Sequence, residues 1–116
     1  MDQAKMKRLS DLAQHQVETA NRYANARKLS GRAERDLKII IASEITKLRT
    51  IKKNIGIEFA TLLIVGQDET ARILYAEWTE QEAVYKGLEK VLEAQASQLM
   101  WEMSLNKFQK EGERYG

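Results

Sequence analysis

The only histidine of the chain, His15, has an acidic residue on either side at helical spacing. Asp11 lies four residues before it and Glu18 three residues after it, so a helix carries all three side chains on one face. Helical metal sites use several histidines or repeated Glu-x-x-His units, and neither occurs in this sequence. We therefore interpret the trio as a solvated histidine beside two acids, and we expect no metal site.

Other patterns that carry catalysis are missing from the sequence. There is no cysteine, which excludes disulfides, thiolate metal sites and cysteine nucleophiles. No Gly-rich phosphate loop is present, and no Ser, His and Asp set has a defensible spacing. Glu44 falls on an apolar helix face, where it is either a buried acid or a polar contact that sets the register of a helix pair; we favour the second. We expect no enzymatic activity and no cofactor.

A row of cations is the strongest functional pattern. At 100° per residue, six cations of the first half fall within about 60° of one line on a helix; they are Lys28, Arg32, Arg35, Lys38, Arg49 and Lys53. Spread over about 37 Å of helix, they match the reach needed to follow a phosphate backbone. No aromatic residues are interleaved to stack bases, which argues against a single-strand-specific site. DNA-backbone binding is the functional hypothesis, and an ordinary solvated face is the alternative that we favour.

Charge is divided unevenly along the chain. Residues 1–58 contain thirteen Lys and Arg and seven Asp and Glu, whereas residues 59–116 contain six and ten. The halves either attract each other as an antiparallel pair or present opposite surfaces, the basic one to an anionic partner.

Composition and apolar spacing predict two long helices in a single all-helical domain over residues 1–116. The chain has no proline, the residue that interrupts helices. A first helix over 3–54 carries an apolar stripe that begins at Met6, Leu9, Ala13, Val17, Ala20 and Ala24, and resumes at Ala33, Leu37, Ile40, Ile41, Ile45, Leu48, Ile51 and Ile55. We expect a bend or no change at Gly31. The helix should stop near Asn54 and Gly56, residue types that favour a left-handed C-cap.

A short apolar segment follows, and then a second long helix. Residues 57–65 are too apolar for a free loop, so we predict a short helix that plugs the end of a helical hairpin. The second long helix should cover 68–110, with Asp68 as its N-cap and Glu69 in its first turn.

This second helix carries two apolar stripes. The first comprises Ala71, Leu74, Trp78, Gln81, Tyr85, Leu88, Leu92, Gln95 and Leu99; the second comprises Ile73, Ala76, Val84, Val91, Ala94, Trp101, Leu105 and Phe108. One stripe suffices to pack against the first helix in a long antiparallel, coiled-coil-like hairpin. The second predicts an oligomer interface through Ile73, Val84, Val91, Trp101, Leu105 and Phe108, at which another copy of the chain completes a helical bundle.

The sequence also indicates where the protein acts. No signal-type apolar stretch follows the first residues, and the longest apolar run, 55–65, is about half of a bilayer span and contains Glu58. We expect a cytoplasmic protein with no membrane partner.

Two stretches resemble small helical proteins of tailed bacteriophages. They are Ala24-Asn25-Ala26-Arg27-Lys28-Leu29 with Ala33-Glu34-Arg35-Asp36-Leu37-Lys38-Ile39, and Glu82 to Ala94 with Ser97-Gln98-Leu99 and Ser104-Leu105 behind it. The resemblance covers roughly residues 20–108. Those proteins accompany phage recombination and replication genes, near single-strand annealing or single-strand-binding proteins. The resemblance implies a phage protein of the host cytoplasm that assists DNA metabolism, and it implies no catalytic residues.

Three functions agree with these observations. The first is a non-enzymatic, oligomeric accessory protein of phage recombination or replication, acting through protein contacts and DNA-backbone contacts. The second is a phage inhibitor of a host enzyme or defence complex, docking through Glu80, Glu82, Glu89 and Glu93. The third is a structural assembly protein. We take the first as the working hypothesis.

Overall fold

A computed structural model of the chain describes residues 3–115, and the side chains of residues 3–112. It consists of three helices, α1 (Gln3–Ile51), α2 (Ile57–Gln67) and α3 (Glu69–Tyr115), with no strand among the described residues. The predicted all-α fold with two long antiparallel helices and a short connecting helix is confirmed. Contacts divide the chain into two units: a terminal unit of residues 1–24 and 85–116, and a central unit of residues 25–84.

The helix α1 runs without interruption to Ile51 and ends three residues earlier than predicted. Its last turn closes when the Lys52 N–H donates to the Leu48 carbonyl over 2.9 Å. The predicted left-handed C-cap at Asn54 and Gly56 is wrong, because no described residue has a positive φ. Gly56 instead adopts an extended backbone, φ −71° and ψ 150°, and starts α2 by accepting a hydrogen bond from the Ala60 N–H.

Asp68 joins α2 directly to α3. Its backbone N–H donates to the Ile64 carbonyl over 2.8 Å and closes the last turn of α2. Its side-chain Oδ1 accepts the Ala71 N–H over 2.8 Å, which is the N-cap bond predicted for α3. Arg72, one turn into α3, donates to the carbonyls of Val65 and Gly66. Side chains of α3 thus satisfy carbonyls that the end of α2 leaves without intrahelical partners.

The core of the central unit forms where α2 packs against both long helices. Leu37 of α1, Ile64 of α2 and Ala71 of α3 are buried together. Apolar side chains around them are partly buried: Ile40, Ile41, Leu48, Val65, Leu74 and Trp78. The predicted short connecting helix is therefore present, and burial on it centres on Ala60 and Ile64.

Within the terminal unit, α1 and α3 also run antiparallel. The Tyr23 and Tyr85 rings meet edge to face at 6.0 Å, and Arg8 forms an ion pair with Glu102 at 2.7 Å. Thr19 and Leu88 are buried. Thr19 satisfies its hydroxyl inside α1 by donating to the His15 carbonyl over 2.9 Å.

We use the term inner seam for the buried and half-buried positions that recur on each long helix at alternating spacings of three and four. On α3 they are Ala71, Leu74, Trp78, Gln81, Tyr85, Leu88, Leu92, Gln95 and Leu99. These are the nine residues of the first predicted stripe, which is confirmed. On α1 they are Leu9, Leu12, Gln16, Thr19, Tyr23, Ala26, Ser30, Ala33, Leu37 and Ile40.

The predicted stripe in the first half of α1 is wrong for all but Leu9. Met6, Ala13, Val17, Ala20 and Ala24 are exposed, because the inner seam passes through polar residues instead. Alanine has a high helix propensity on exposed and buried faces alike, so the spacing of alanines does not identify the buried face. Ile51, predicted on the same stripe, is exposed at the helix end.

Candidate interaction surfaces

A second regular row of residues lies exposed on the part of α3 in the terminal unit. We call it the outer seam: Gly87, Val91, Ala94, Gln98, Trp101, Leu105 and Phe108. Its spacing alternates between four and three residues, as in a coiled-coil contact face. Four of the six predicted oligomer-interface residues belong to it. The other two, Ile73 and Val84, are exposed on the part of α3 in the central unit.

The outer seam is set at a definite angle from the inner one. The outer-seam residues from Gly87 to Gln98 each directly precede an inner-seam residue, and Trp101 precedes Glu102, which is half-buried one turn after the last inner-seam residue, Leu99. One residue corresponds to a rotation of about 100° around a helix, so the two faces lie about 100° apart around α3. Trp101 is 63 % exposed and Phe108 79 %. The helix is therefore apolar on two faces, only one of which α1 covers.

A charged row on α1 borders the outer seam. Arg8, Asp11, His15, Glu18 and Arg22 also precede inner-seam residues and are exposed. In an antiparallel helix pair, such positions on both helices lie on the same side. The trio Asp11, His15 and Glu18 belongs to this row, and no group of three potential ligands in the described part of the chain is arranged to hold a metal ion.

The opposite side of the terminal unit also exposes some apolar side chains, which are smaller than those of the outer seam. The exposed apolar residues there are Met6, Val17, Met100 and Met103. Val17 and Met100 directly follow inner-seam residues, and Met6 and Met103 directly follow positions that extend the inner-seam spacing along the same helix. Sequence reasoning missed Met100 and Met103, although their position one residue after the inner seam could have identified them.

The six cations of the predicted basic stripe are all exposed, but two of them form ion pairs with acidic side chains of the same helix. Lys38 pairs with Glu34 at 2.8 Å and Arg35 lies 3.8 Å from Asp36. Lys53 lies in the turn after α1 rather than on the helix. Lys28, Arg32, Arg49 and Lys53 form no ion pair with any other described residue. The stripe is therefore a face with three helical cations unpaired, not six.

The acidic residues of α3 named as a docking face are spread along its surface. Glu80, Glu89 and Glu93 are exposed and Glu82 is half-buried. Glu44, the acid predicted to set register, is half-buried and pairs with Lys47 at 3.1 Å. This ion pair stays within one turn of α1, so it specifies no register between helices.

The end of the central unit carries exposed apolar side chains on α2. Ile57, Phe59 and Leu62 are each more than half exposed, and the Lys52 ammonium lies 5.8 Å from the Phe59 ring centre. A shallow hollow elsewhere in this unit is lined by one face of α1 alone, from Gly31 to Ala42. None of the described helices is both long and apolar enough to cross a bilayer.

Comparison of the chain with protein families, with curated proteins and with solved structures found no match.

Proposed function

We propose that this chain is a non-enzymatic accessory protein of a bacteriophage recombination or replication system, which acts through helix-mediated contacts with other proteins. The outer seam is the observation that carries the proposal. Its large side chains are exposed in a single register along α3.

The regularity of the outer seam supports a contact function. Isolated apolar residues on a surface are ordinary, whereas a contiguous apolar row marks an interaction site. Trp101, Leu105 and Phe108 occupy successive positions of one heptad face, which is how one helix presents anchors to another. Aromatic anchors of this kind dominate the binding energy of many interfaces.

The recombination or replication context has two supports. One is the resemblance of residues 20–108 to small helical phage proteins. The other is the set of unpaired, exposed cations Lys28, Arg32 and Arg49 on α1, a face suited to proteins that work close to nucleic acid.

The proposal is tested by cross-linking and co-precipitation of the tagged protein from phage-infected cells. We expect enrichment of phage recombination or replication proteins. Trp101→Glu should abolish this enrichment, because a carboxylate in the centre of an apolar contact loses its hydration without gaining a partner. Ile39→Glu is the matched control: Ile39 is 62 % exposed against 63 % for Trp101, and it lies outside the outer seam.

Two results would contradict the proposal. One is equal enrichment with the Trp101→Glu and native proteins, provided that circular dichroism shows both to be helical. The other is selective enrichment of a host enzyme or defence protein, which would favour the inhibitor hypothesis.

A further inference from the structure

We infer that the outer seam binds the outer seam of a second copy of this chain, with the two α3 helices antiparallel about a two-fold axis near residue 96. The inference rests on the proposed contact function of this surface: the outer seam joins two copies of the chain, and it is this dimer that contacts the other proteins.

The order of side-chain sizes along the outer seam identifies the partner. The N-terminal half consists of small residues, Gly87, Val91 and Ala94, and the C-terminal half of larger ones, Gln98, Trp101 and Leu105, with Phe108 beyond the paired stretch. When the helix is paired with an antiparallel copy of itself about residue 96, every small residue meets a large one. The pairs are Gly87 with Leu105, Val91 with Trp101 and Ala94 with Gln98, each present twice.

The same seam fits a parallel copy poorly. A parallel pair in register places Gly87 against Gly87 and Trp101 against Trp101, which leaves a void at one end and an overfilled contact at the other. Protein interfaces pack to nearly the density of crystals, so large residues are placed opposite small ones. The size order is therefore self-complementary only in the antiparallel sense.

Positions beside the outer seam create no charge conflict near the axis. Ser97 and the inner-seam Gln95 are closest to residue 96, and both are uncharged. Farther out, an axis at residue 96 brings Lys90 level with Glu102 of the second copy rather than with another lysine. Glu102 continues the inner seam, and its charge is paired with Arg8 at 2.7 Å.

The charged row on α1 supplies an independent argument. The Tyr23–Tyr85 and Arg8–Glu102 contacts place residue 96 of α3 level with about residue 13 of α1. A two-fold axis at that level sets Glu18 opposite Arg8 of the second copy, and Asp11 opposite His15 of the second copy. The row is thus complementary to itself about the same axis that the size order selects, and like charges at matched levels would oppose association.

The first test is the mass in solution, measured by analytical ultracentrifugation or by chromatography with light scattering. At tens of micromolar we expect twice the chain mass of 13.4 kDa. Trp101→Glu should raise the dissociation constant at least about tenfold, because it buries a charge at the anchor position. Ile39→Glu should leave the dimer unchanged.

The second test measures orientation and register by disulfide formation, which is unambiguous because the chain has no cysteine of its own. The variants are Gly87→Cys, where a new Cβ meets no atom within 4 Å, and Leu105→Cys. A mixture of the two should form a mixed disulfide dimer. Either variant alone should not cross-link, since like residues lie 18 positions apart along antiparallel helices, about 27 Å.

A strictly monomeric native protein would overturn the inference, and so would self-cross-linking of Gly87→Cys alone, which indicates a parallel pair. These failures differ from a failure of the proposed function. A monomer that still captures phage proteins through Trp101 would contradict the dimer and support the proposed function. An antiparallel dimer that captures no phage protein would support the dimer and contradict the proposed function.

Discussion

Asp68 stabilises two helix ends at once, through different atoms of one residue. Replacing it with alanine removes the Oδ1 acceptor for the Ala71 N–H and leaves the backbone bond to Ile64 in place. We expect Asp68→Ala to lower the free energy of unfolding by about 1 kcal/mol, the usual value of an N-cap. Urea denaturation measures the change. Asp68→Asn keeps a side-chain acceptor and should retain most of the stability, so an equal loss in both variants would contradict the capping role.

Gln95 carries the opposite kind of feature, a buried polar atom without a partner. Its Oε1 accepts no hydrogen bond from any described residue. A buried, unsatisfied acceptor costs about 1–3 kcal/mol, and leucine at an inner-seam position removes that cost. Gln95→Leu should therefore raise the urea midpoint. The comparison belongs in the Trp101→Glu background, where association of two copies does not contribute; a lowered midpoint there would show that the amide is satisfied in solution.

At the scale of single elements, α1 remains helical through Gly31. We expect this glycine to affect stability through its low helix propensity and not through packing contacts. A Cβ added at Gly31 would meet nothing within 4 Å, and glycine costs a helix about 1 kcal/mol relative to alanine. Gly31→Ala should therefore increase the free energy of unfolding by about that amount. The reverse change at an exposed site of the same helix, Ala42→Gly, should decrease it similarly. Loss of stability in Gly31→Ala would reveal a contact made by the native glycine.

The long helices also show what their sequences could and could not predict. Every inner-seam residue of α3 was predictable from Ala71 to Leu99, because apolar side chains mark nearly every position. On α1 the seam passes through Gln16, Thr19 and Ser30, while exposed alanines lie beside it. Spacing alone follows the alanines, whose high helix propensity suits exposed positions as well as buried ones.

For the interaction surfaces, the sequence predicted which large residues are exposed, but it did not predict which charged residues form ion pairs. The exposed large residues of the outer seam follow from spacing, but Gly87 and Gln98 were missed because neither is apolar and large. The intrahelical partners of Lys38 and Arg35 depend on side-chain rotamers that a helical projection does not contain. The turn that removes Lys53 from α1 is closed by a hydrogen bond from the Ile55 N–H to the Lys52 carbonyl, a backbone contact that the residue types do not specify.

For the whole molecule, the basic stripe makes a quantitative prediction about nucleic acid. If Arg32 and Arg49 contact phosphates, fluorescence anisotropy with a labelled duplex will show affinity that falls as salt rises. Changing both to Gln should reduce the slope of log affinity against log salt by about 1.8, since each phosphate contact contributes about 0.9.

Lys47→Gln is the matched control for that measurement. Lys47 is exposed on α1 but pairs with Glu44, and its loss should leave the slope unchanged. Absence of binding at low salt, or equal slopes for the native and doubly substituted proteins, would identify the stripe as a solvated face.

The single-residue joint between α2 and α3 has a consequence for how the molecule opens. Asp68 closes α2 with its amide and caps α3 with its carboxylate, while Arg72 reaches back to the last carbonyls of α2. Asp68 is the single residue between α2 and α3, so we expect the C-terminal end of α2 and the N-terminal end of α3 to unfold together. In native-state hydrogen exchange, the amides of Asp68 and Ala71 should therefore share one opening free energy and one dependence on denaturant. We therefore expect the joint to open as one cooperative unit rather than to bend as a hinge.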